Sequence, residues 1–229
     1  MTLGLPRLHL AETGSTNTLA RELAEAGAPH GTLVSAGIQT AGRGRQGRGW
    51  RSPAGSLSQS YVLRLPQERV ALLPLAAAVA VAELCGPDAL VKWPNDVWLE
   101  PRRKVAGILA ETRGGAGWQV LGIGINVAVA AADLGDDGAR AATLGASPAE
   151  LPAWRDRLTD ALETVLAQSN EQVVAAWRER DGLIGRTITW DDGHGIAAGI
   201  DDEGQLLVET SDGTTQALIA GEVHLSLAP

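Results

Sequence analysis

Three arginines lie within a glycine-rich stretch at residues 39–50, which reads QTAGRGRQGRGW. The guanidinium groups of Arg43, Arg45 and Arg48 match carboxylates and phosphates in both charge and geometry. The glycines between them let the backbone fold closely around a ligand. We therefore predict that this Gly/Arg loop (residues 39–55) closes over an anionic group. The alternatives are a solvated basic loop and an RNA-binding segment.

The sequence weakens two other interpretations of the Gly/Arg loop. Gly42, Gly44 and Gly47 have the G-x-G-x-x-G spacing of a dinucleotide-binding turn, but that turn must lead into a helix. Residues 51–55 read RSPAG and cannot begin one. The net charge of −8, with no second basic stretch, argues against nucleic-acid binding, which depends on a basic surface.

Two further motifs place polar side chains next to apolar strands. The motif KWPND puts Lys92, Asn95 and Asp96 at a turn, and Lys104 begins the strand that follows. The motif GIGIN ends at Asn126, and glycines inside a strand suggest close approach of a ligand. Taken alone, Lys104 is better explained as a charge that protects a strand edge. Asn126 alone is equally well explained as a turn cap.

The hydrophobic pattern predicts an α+β main domain followed by a small β-barrel. Strands are predicted at residues 8–12, 32–38, 56–65, 91–99, 105–112 and 118–127, and helices at residues 15–26, 72–85, 152–168 and 170–180. Between them, residues 130–149 are predicted to be a polar, Ala/Gly-rich connection. Five short strands separated by Asp/Gly turns, between residues 186 and 227, predict the barrel. The predicted domains are therefore residues 1–181 and 182–229.

The composition argues against several classes of protein. The single cysteine, Cys85, excludes a disulfide within the chain and fits a reducing cytoplasm. No signal peptide is visible, and the longest apolar run, residues 72–84, is too short to cross a membrane. We therefore expect a cytoplasmic protein without membrane partners.

Taken together, the motifs resemble the biotin–protein ligase family. The chain carries GRGRxGRxW, KWPND, RK-x-AGIL and GIGIN in this order, after an opening Ser15-Thr16-Asn17. The AGEVHLSL segment near the C-terminus resembles that family's SH3-like barrel. The resemblance covers essentially the whole chain and implies a mixed β-sheet with flanking helices, of the class II synthetase type. Because the sequence starts directly at this domain, we expect a short form without an N-terminal DNA-binding domain and without a DNA partner.

The resemblance implies an enzyme that makes biotinyl-AMP from biotin and ATP and then attaches biotin to a carrier lysine. The carrier would be the biotin carboxyl carrier domain of an acyl-CoA carboxylase. Mg²⁺ would be held mainly by the ATP phosphates, so no metal ligands are predicted in the protein. A weak homodimer is left open. The nearest rival function, a lipoate or octanoate ligase or transferase, would lack the arginine-rich loop.

Roles for individual residues follow from the same resemblance. The residues implied in biotin binding are Ser15, Thr16, Asn17, Gln39, Arg43, Gly44, Arg45 and Lys104. Those implied in binding ATP or the adenylate are Arg43, Arg45, Arg48, Trp50, Lys92, Asn95, Lys104, Asn126 and Thr143. The catalytic groups would be Lys104, Arg43, Arg45 and Asp96. Asp96 is our candidate for accepting the proton of the carrier lysine.

The sequence departs from the family pattern at two places. After Gly55 it reads Ser-Leu-Ser-Gln-Ser, where members more often have Asn-Leu and an aromatic residue. Residues 133–144 also lack the tryptophan that some members have near the adenine. Thr143 and either Trp50 or another tryptophan are the remaining candidates for adenine contacts.

Overall fold

The computed structural model describes residues 2–99 and 102–225 of the 229-residue chain. Its larger sheet consists of β1 (Arg7–Thr13), β2 (Leu33–Gln39), β3 (Ser56–Leu63), β4 (Leu90–Lys92), β5 (Asp96–Leu99), β6 (Arg103–Thr112) and β7 (Gln119–Asn126). The spatial order is β1-β2-β3-β7-β6-β5-β4. Strands β1 and β2 pair in parallel, and the other neighbours pair antiparallel. The prediction of a mixed sheet is confirmed.

Five α-helices of the described residues flank the sheet: α1 (Thr16–Glu25), α2 (Gln67–Val70), α3 (Leu73–Cys85), α4 (Leu151–Leu166) and α5 (Asn170–Arg178). The four longer helices were predicted to within two residues at each end, whereas the single turn α2 was not. The side chain of Ser15 caps α1 by accepting from the backbone N–H of Thr18 at 3.5 Å. Within the described residues, no helix is long and apolar enough to cross a membrane.

The sheet is covered on both faces, which explains why every residue of β3 and β7 is buried. Helix α1 packs Ala20 and Ala24 against Val34, Val62 and neighbouring side chains on one face. Helices α3, α4 and α5 cover the opposite face, where the larger hydrophobic core lies. Alternate residues of β3 and β7 therefore face α1, and this face also carries the polar side chains described below.

The turn predicted in KWPND divides residues 91–99, which form β4 and β5 on either side of Pro94 and Asn95. Proline lacks the N–H that a central strand needs. Residues 130–149, predicted as a polar connection, contain 3₁₀ turns at Ala131–Arg140 and Pro148–Glu150.

The smaller sheet consists of β8 (Thr187–Trp190), β9 (Gly193–Ile200), β10 (Leu206–Glu209), β11 (Thr215–Leu218) and β12 (His224–Leu225). Their order is β11-β10-β9-β8-β12, with every neighbouring pair antiparallel. The five predicted strands are all present. Within residues 2–99 and 102–225, β11 and β12 do not pair, so the five strands are consistent with the predicted SH3-like barrel but do not close it. The predicted last strand extends to residue 227, and its end lies outside the described residues.

The two sheets share one hydrophobic core, in which Leu206 and Val208 of β10 belong to the same cluster as α3. Polar contacts also link them: the indole N–H of Trp93 donates to the carbonyl of Gly204 at 3.0 Å. The backbone N–H of Gly182 donates to the carbonyl of Val91 at 2.8 Å. The smaller sheet is therefore fixed beside the turn between β4 and β5. The division at residues 181 and 182 stays a prediction.

Candidate active site

A cavity of about 310 Å³ lies on the α1 face of the larger sheet. Strands β6 and β7 form its floor. Its walls are the start of α1, the Gly/Arg loop, the turn between β4 and β5, and the segment that includes Leu134 and Ala141. Glu222, which precedes β12, also contributes to the wall. Parts of the chain far apart in sequence thus meet around one space.

The charge of this cavity is opposite to that of the whole chain. Among its lining residues, the acidic ones are Asp96 and Glu222, and the basic ones are Arg43, Arg45, Arg48, Arg51, Lys92, Lys104 and Arg140. A cavity lined mainly by cations, in a protein of net charge −8, is expected to attract an anionic ligand. The chain has only two lysines, and both are in this lining.

Glycines make the floor flat. Gly107 of β6 pairs with Gly124 of β7, and Gly122 pairs with Leu109. A Cβ atom at Gly124 would overlap the indole of Trp50, and one at Gly122 would overlap the side-chain amide of Asn17. The glycines of the GIGIN motif therefore leave room for side chains that lie directly on the sheet.

A hydrogen-bonded network occupies the end of the cavity next to α1. Both the backbone N–H and the hydroxyl of Thr16 donate to Gln39 Oε1, at 2.8 and 3.0 Å. Gln39 Nε2 donates to Ser58 at 3.2 Å. Ser60 lies 2.7 Å from Thr16 Oγ1 and donates to Asn17 Oδ1 at 2.6 Å. The serines after Gly55, noted as a departure from the family pattern, thus hold the side chains predicted to bind biotin.

The Gly/Arg loop folds back on itself over the cavity. Gly44 N–H donates to the carbonyl of Arg48 at 2.7 Å, and Trp50 N–H donates to that of Gly42 at 2.9 Å. Arg48 forms an ion pair with Glu222, and Arg45 donates to Asn95 Oδ1 at 3.3 Å. The loop is therefore attached both to the smaller sheet and to the turn between β4 and β5.

Arg43 points elsewhere. Its guanidinium pairs with Glu111 of β6 at 3.1 Å. Glu111 lies four residues beyond Gly107 on the same strand, roughly 13 Å along it at about 3.3 Å per residue. The loop arginines predicted to close over one anionic group are thus separated in this structure. Arg45 bonds to Asn95 near Lys104, Arg48 pairs with Glu222, and Arg43 lies at the α1 end.

Lys104 lies over the floor at the opposite end of the cavity. Its ammonium is 2.8 Å from Asp96 Oδ1 and 5.2 Å from the centre of the Trp50 ring. Its Nζ would be 3.2 Å from a Cβ atom at Gly107. Asn95 is held beside it, because its side chain donates to the carbonyl of Ile108 at 2.8 Å.

Burial affects the pKa of two other ionisable groups of the cavity, one basic and one acidic. It lowers the pKa of Lys92, and the charges of Lys104 and Arg48 act in the same direction against those of Asp96 and Glu222. Burial of Glu222 opposes its ionisation, but the hydrogen bond and charge of Arg48 outweigh this and lower the pKa of that carboxyl. Glu222 therefore stays anionic at neutral pH and can hold Arg48.

Two buried polar atoms in the lining have no hydrogen-bond partner among the described residues: Trp50 Nε1 and Asn126 Oδ1. The amide group of Asn126 is oriented, because its Nδ2 donates to the carbonyl of Ala142 at 3.0 Å. A buried polar atom without a partner is costly, so a ligand that bonds to these atoms would gain free energy.

The cavity brings together all but one of the residues predicted to form the site. The exception, Thr143, is outside the lining and bonds to the carbonyl of Val127 at 3.3 Å. Sequence reasoning missed Arg51, Arg140 and Leu134, which also line the cavity. It also missed Glu222, although the AGEV motif that contains it was noted.

In the described part of the chain, no group of three or more His, Cys, Asp or Glu side chains could hold a metal ion. The carboxylate nearest to Lys104, Asp96, is already paired with that ammonium. Among residues 2–99 and 102–225, oxygen ligands for a resident Mg²⁺ are therefore not assembled.

Comparison with known proteins agrees with this geometry. Residues 10–128 match the Biotin/lipoate A/B protein ligase family, and residues 184–226 match the Biotin protein ligase C terminal domain. The chain is 36% identical to the biotin–[acetyl-CoA-carboxylase] ligase of Mycobacterium tuberculosis, over 94% of this chain and 88% of that protein. It is 38% identical to the enzyme of the same name from Paracoccus denitrificans, over 93% and 98%.

A solved structure gives the same result. The biotin protein ligase from Aquifex aeolicus in complex with biotin and ATP superimposes with a TM-score of 0.77 at 28% sequence identity. The match covers 97% of this chain and 99% of that one. Since both the sequence and the fold match from the first strand to the smaller sheet, the chain belongs to the biotin protein ligase family.

Proposed function

We propose that the chain joins biotin to ATP to form biotinyl-AMP and then transfers the biotin to a carrier lysine. The carrier is the biotin carboxyl carrier domain of an acyl-CoA carboxylase. The observation that carries this proposal is the division of one cavity into a hydrogen-bonding end and a cationic end. Biotin has the same division, with a polar ureido ring at one end and a carboxylate at the other.

The α1 end suits biotin better than lipoate. A ureido ring offers a carbonyl acceptor and two N–H donors, and the network of Ser15, Thr16 and Gln39 contains both donors and acceptors. The dithiolane ring of lipoate offers no comparable groups, so it would cover this polar network without forming hydrogen bonds to it. A site built on hydrogen bonds rejects a ligand that lacks them.

The cationic end provides the chemistry of the first step. The biotin carboxylate attacks the α-phosphorus of ATP, and the leaving group is pyrophosphate. Negative charge increases on the α-phosphate during this attack, so cations fixed around it stabilise the transition state more than the ground state. We assign this role to Lys104 and Arg45, which lie beside the glycine floor, and contacts with the adenylate to Asn126 and Trp50, which line the same cavity.

Mg²⁺ enters in this proposal as part of the substrate, the Mg–ATP complex. The absence of an oxygen-ligand cluster among the described residues favours a metal held by phosphates and water. The residues of this chain bind the phosphates, and the metal neutralises the charge of the departing pyrophosphate.

The product is a mixed anhydride that water hydrolyses, so it must be sheltered until the carrier arrives. The Gly/Arg loop covers the cavity in the present structure through bonds to Asn95 and Glu222. Asn95 and Glu222 both lie outside the loop and therefore hold it against the rest of the protein. We therefore expect the loop to stay closed over the adenylate and to open when the carrier lysine enters.

Exchange of labelled pyrophosphate into ATP tests the first step directly. We expect exchange that requires biotin and that lipoate does not support. Exchange that depends on lipoate instead would assign the chain to the lipoate branch of the family. Binding of nucleic acid without any exchange would overturn the enzyme proposal.

Replacing Gly122 with alanine tests the biotin end. The added Cβ overlaps the Asn17 amide, so either α1 or the amide must move. Overpacking of this kind costs on the order of 1–3 kcal/mol, so we expect biotin affinity to fall roughly tenfold or more. Titration calorimetry measures the affinity, and a thermal melt checks folding. Gly114→Ala is the matched control, because a Cβ there meets no atom within 4 Å. Unchanged biotin affinity in G122A would place the ureido ring elsewhere.

A further inference from the structure

Glu111 of β6 is a carboxylate that the chemistry described so far does not use. It contacts Asn17 at the α1 end of the cavity but itself lines a separate pocket, with its side chain 22% exposed. One oxygen, Oε2, accepts from Asn17 Nδ2 at 2.9 Å. The other, Oε1, pairs with Arg43 at 3.1 Å and lies 4.0 Å from Arg21. Glu111 therefore connects the predicted biotin-binding residues with the loop that covers the adenylate.

The contact with Asn17 fixes the orientation of its amide. Asn17 Oδ1 accepts from Ser60 at 2.6 Å, and Nδ2 donates both to Glu111 and to the carbonyl of Leu109, the latter at 3.3 Å. An amide has four hydrogen-bonding positions, and three of them are used here. Asn17 is 5% exposed and sits on Gly122. Asn17 therefore holds the neighbouring Thr16 in position for its ligand contacts, in addition to its own predicted contact with the ligand.

The contact with Arg43 has a different consequence. An arginine paired with Glu111 has less charge to offer to a ligand, because the carboxylate competes for the same guanidinium. The pair is roughly 13 Å along β6 from Gly107, over which the Lys104 ammonium lies. Arg43 must leave Glu111, at least in part, before it can contact a carboxylate or a phosphate near Lys104.

We propose that Glu111 is a positioning residue that orients Asn17 and also holds Arg43 away from the adenylate site until an anionic ligand displaces it. This inference rests on the proposed function. Arg21 of α1 supports it, because this second cation beside Glu111 stays there after Arg43 leaves. The carboxylate is then not left buried without a counter-ion, which would make release of Arg43 costly.

The test separates the charge of Glu111 from its hydrogen bond. Glu111→Gln keeps an acceptor for Asn17 but removes the charge that holds Arg43. Glu111→Leu removes both. The ligands are biotin and biotinol-AMP, which are anions, and biotin amide, which is neutral. The quantity measured by calorimetry is the ratio of the neutral ligand's Kd to the anionic ligand's Kd, because a general change in the site alters both equally.

In Glu111→Gln we expect this ratio to rise roughly two- to fivefold, the range of a partly exposed ion pair. In Glu111→Leu we expect all three ligands to bind more weakly. Adding Arg43→Ala to Glu111→Gln should abolish the rise, because the released cation is then absent. Asp202→Asn is the matched control, since Asp202 pairs with Arg178 at 3.0 Å and lines neither the cavity nor the pocket that contains Glu111, and it should leave the ratio unchanged.

An unchanged ratio in a folded Glu111→Gln variant overturns the inference, and so does a rise that survives Arg43→Ala. Either result leaves the proposed function intact, provided that the unmodified chain still supports biotin-dependent pyrophosphate exchange. If the unmodified chain neither binds biotin nor supports exchange, the proposed function fails and this inference fails with it.

Discussion

Lys104→Ala is expected to lower biotin-dependent pyrophosphate exchange by roughly two to three orders of magnitude, the usual effect of removing one fixed group that stabilises developing charge. Lys104 lies near the start of β6, and this strand directs its side chain into the cavity. Its ammonium lies over the flat floor at Gly107, with Asp96 on one side at 2.8 Å and the Trp50 ring on the other.

The expected loss should appear mainly in kcat. Biotin also gains affinity from the network at the α1 end, and Lys104 does not contact this network. The KM for biotin should therefore change much less than kcat. Lys104→Arg should recover only part of the activity, because a planar guanidinium is longer and is oriented differently from an ammonium.

Arg113→Ala serves as the control for Lys104→Ala. It also removes one positive charge, but Arg113 pairs with Glu25 and is not part of the cavity lining. Its exchange rate should match that of the unmodified chain. An exchange rate within a fewfold of normal in Lys104→Ala would mean that charge at the α-phosphate is stabilised by other residues, and the assignment of the cationic end would be wrong.

Local patterns in the sequence were sufficient to predict most elements and most of the cavity lining. The four longer helices have clear start signals or apolar periodicity, as in the Ser15 cap of α1. The Gly/Arg loop, KWPND and GIGIN each combine ligand-binding side chains with residues that fix the backbone. Such motifs predict a site because their members are close in sequence and the strands place them at one end of the sheet.

The contacts that could not be predicted are those made between distant segments. Arg43 pairs with Glu111 across 68 positions, and Arg48 pairs with Glu222 across 174. Neither glutamate lies in a pattern that distinguishes it from a solvated charge, because the register of β6 on β7 and the docking of the smaller sheet decide what it faces. Sequence reasoning therefore placed three arginines at one anion, whereas the structure distributes them among three acceptors.

Asp96→Asn is expected to impair the second half-reaction far more than the first. A carrier lysine has an ordinary pKa of about 10.4, so it is almost fully protonated at neutral pH and must lose a proton before it attacks the anhydride. Asp96 is 15% exposed and lies next to Lys104, where the phosphate end of the adenylate is proposed to bind. Once the phosphate engages Lys104, the Asp96 carboxylate is free to accept that proton.

Transfer from purified biotinyl-AMP to the carrier domain should therefore fall by roughly two to four orders of magnitude in this variant, the range of general base catalysis. Pyrophosphate exchange should fall by less than about tenfold, because the asparagine leaves the Lys104 ammonium in place. The loss in transfer should shrink as the pH rises towards the lysine pKa, since the neutral fraction of the carrier amine then increases without a protein base.

Asp156→Asn is the matched control, because Asp156 also forms an ion pair at 2.8 Å, with Arg7, but on the exposed surface outside the cavity. Both half-reactions should be unaffected by it. An equal fall in exchange and transfer in Asp96→Asn would mean that Asp96 only positions Lys104. Full transfer activity at neutral pH would exclude Asp96 as the base, and the proton would then have to pass to water or to the phosphate of the leaving AMP.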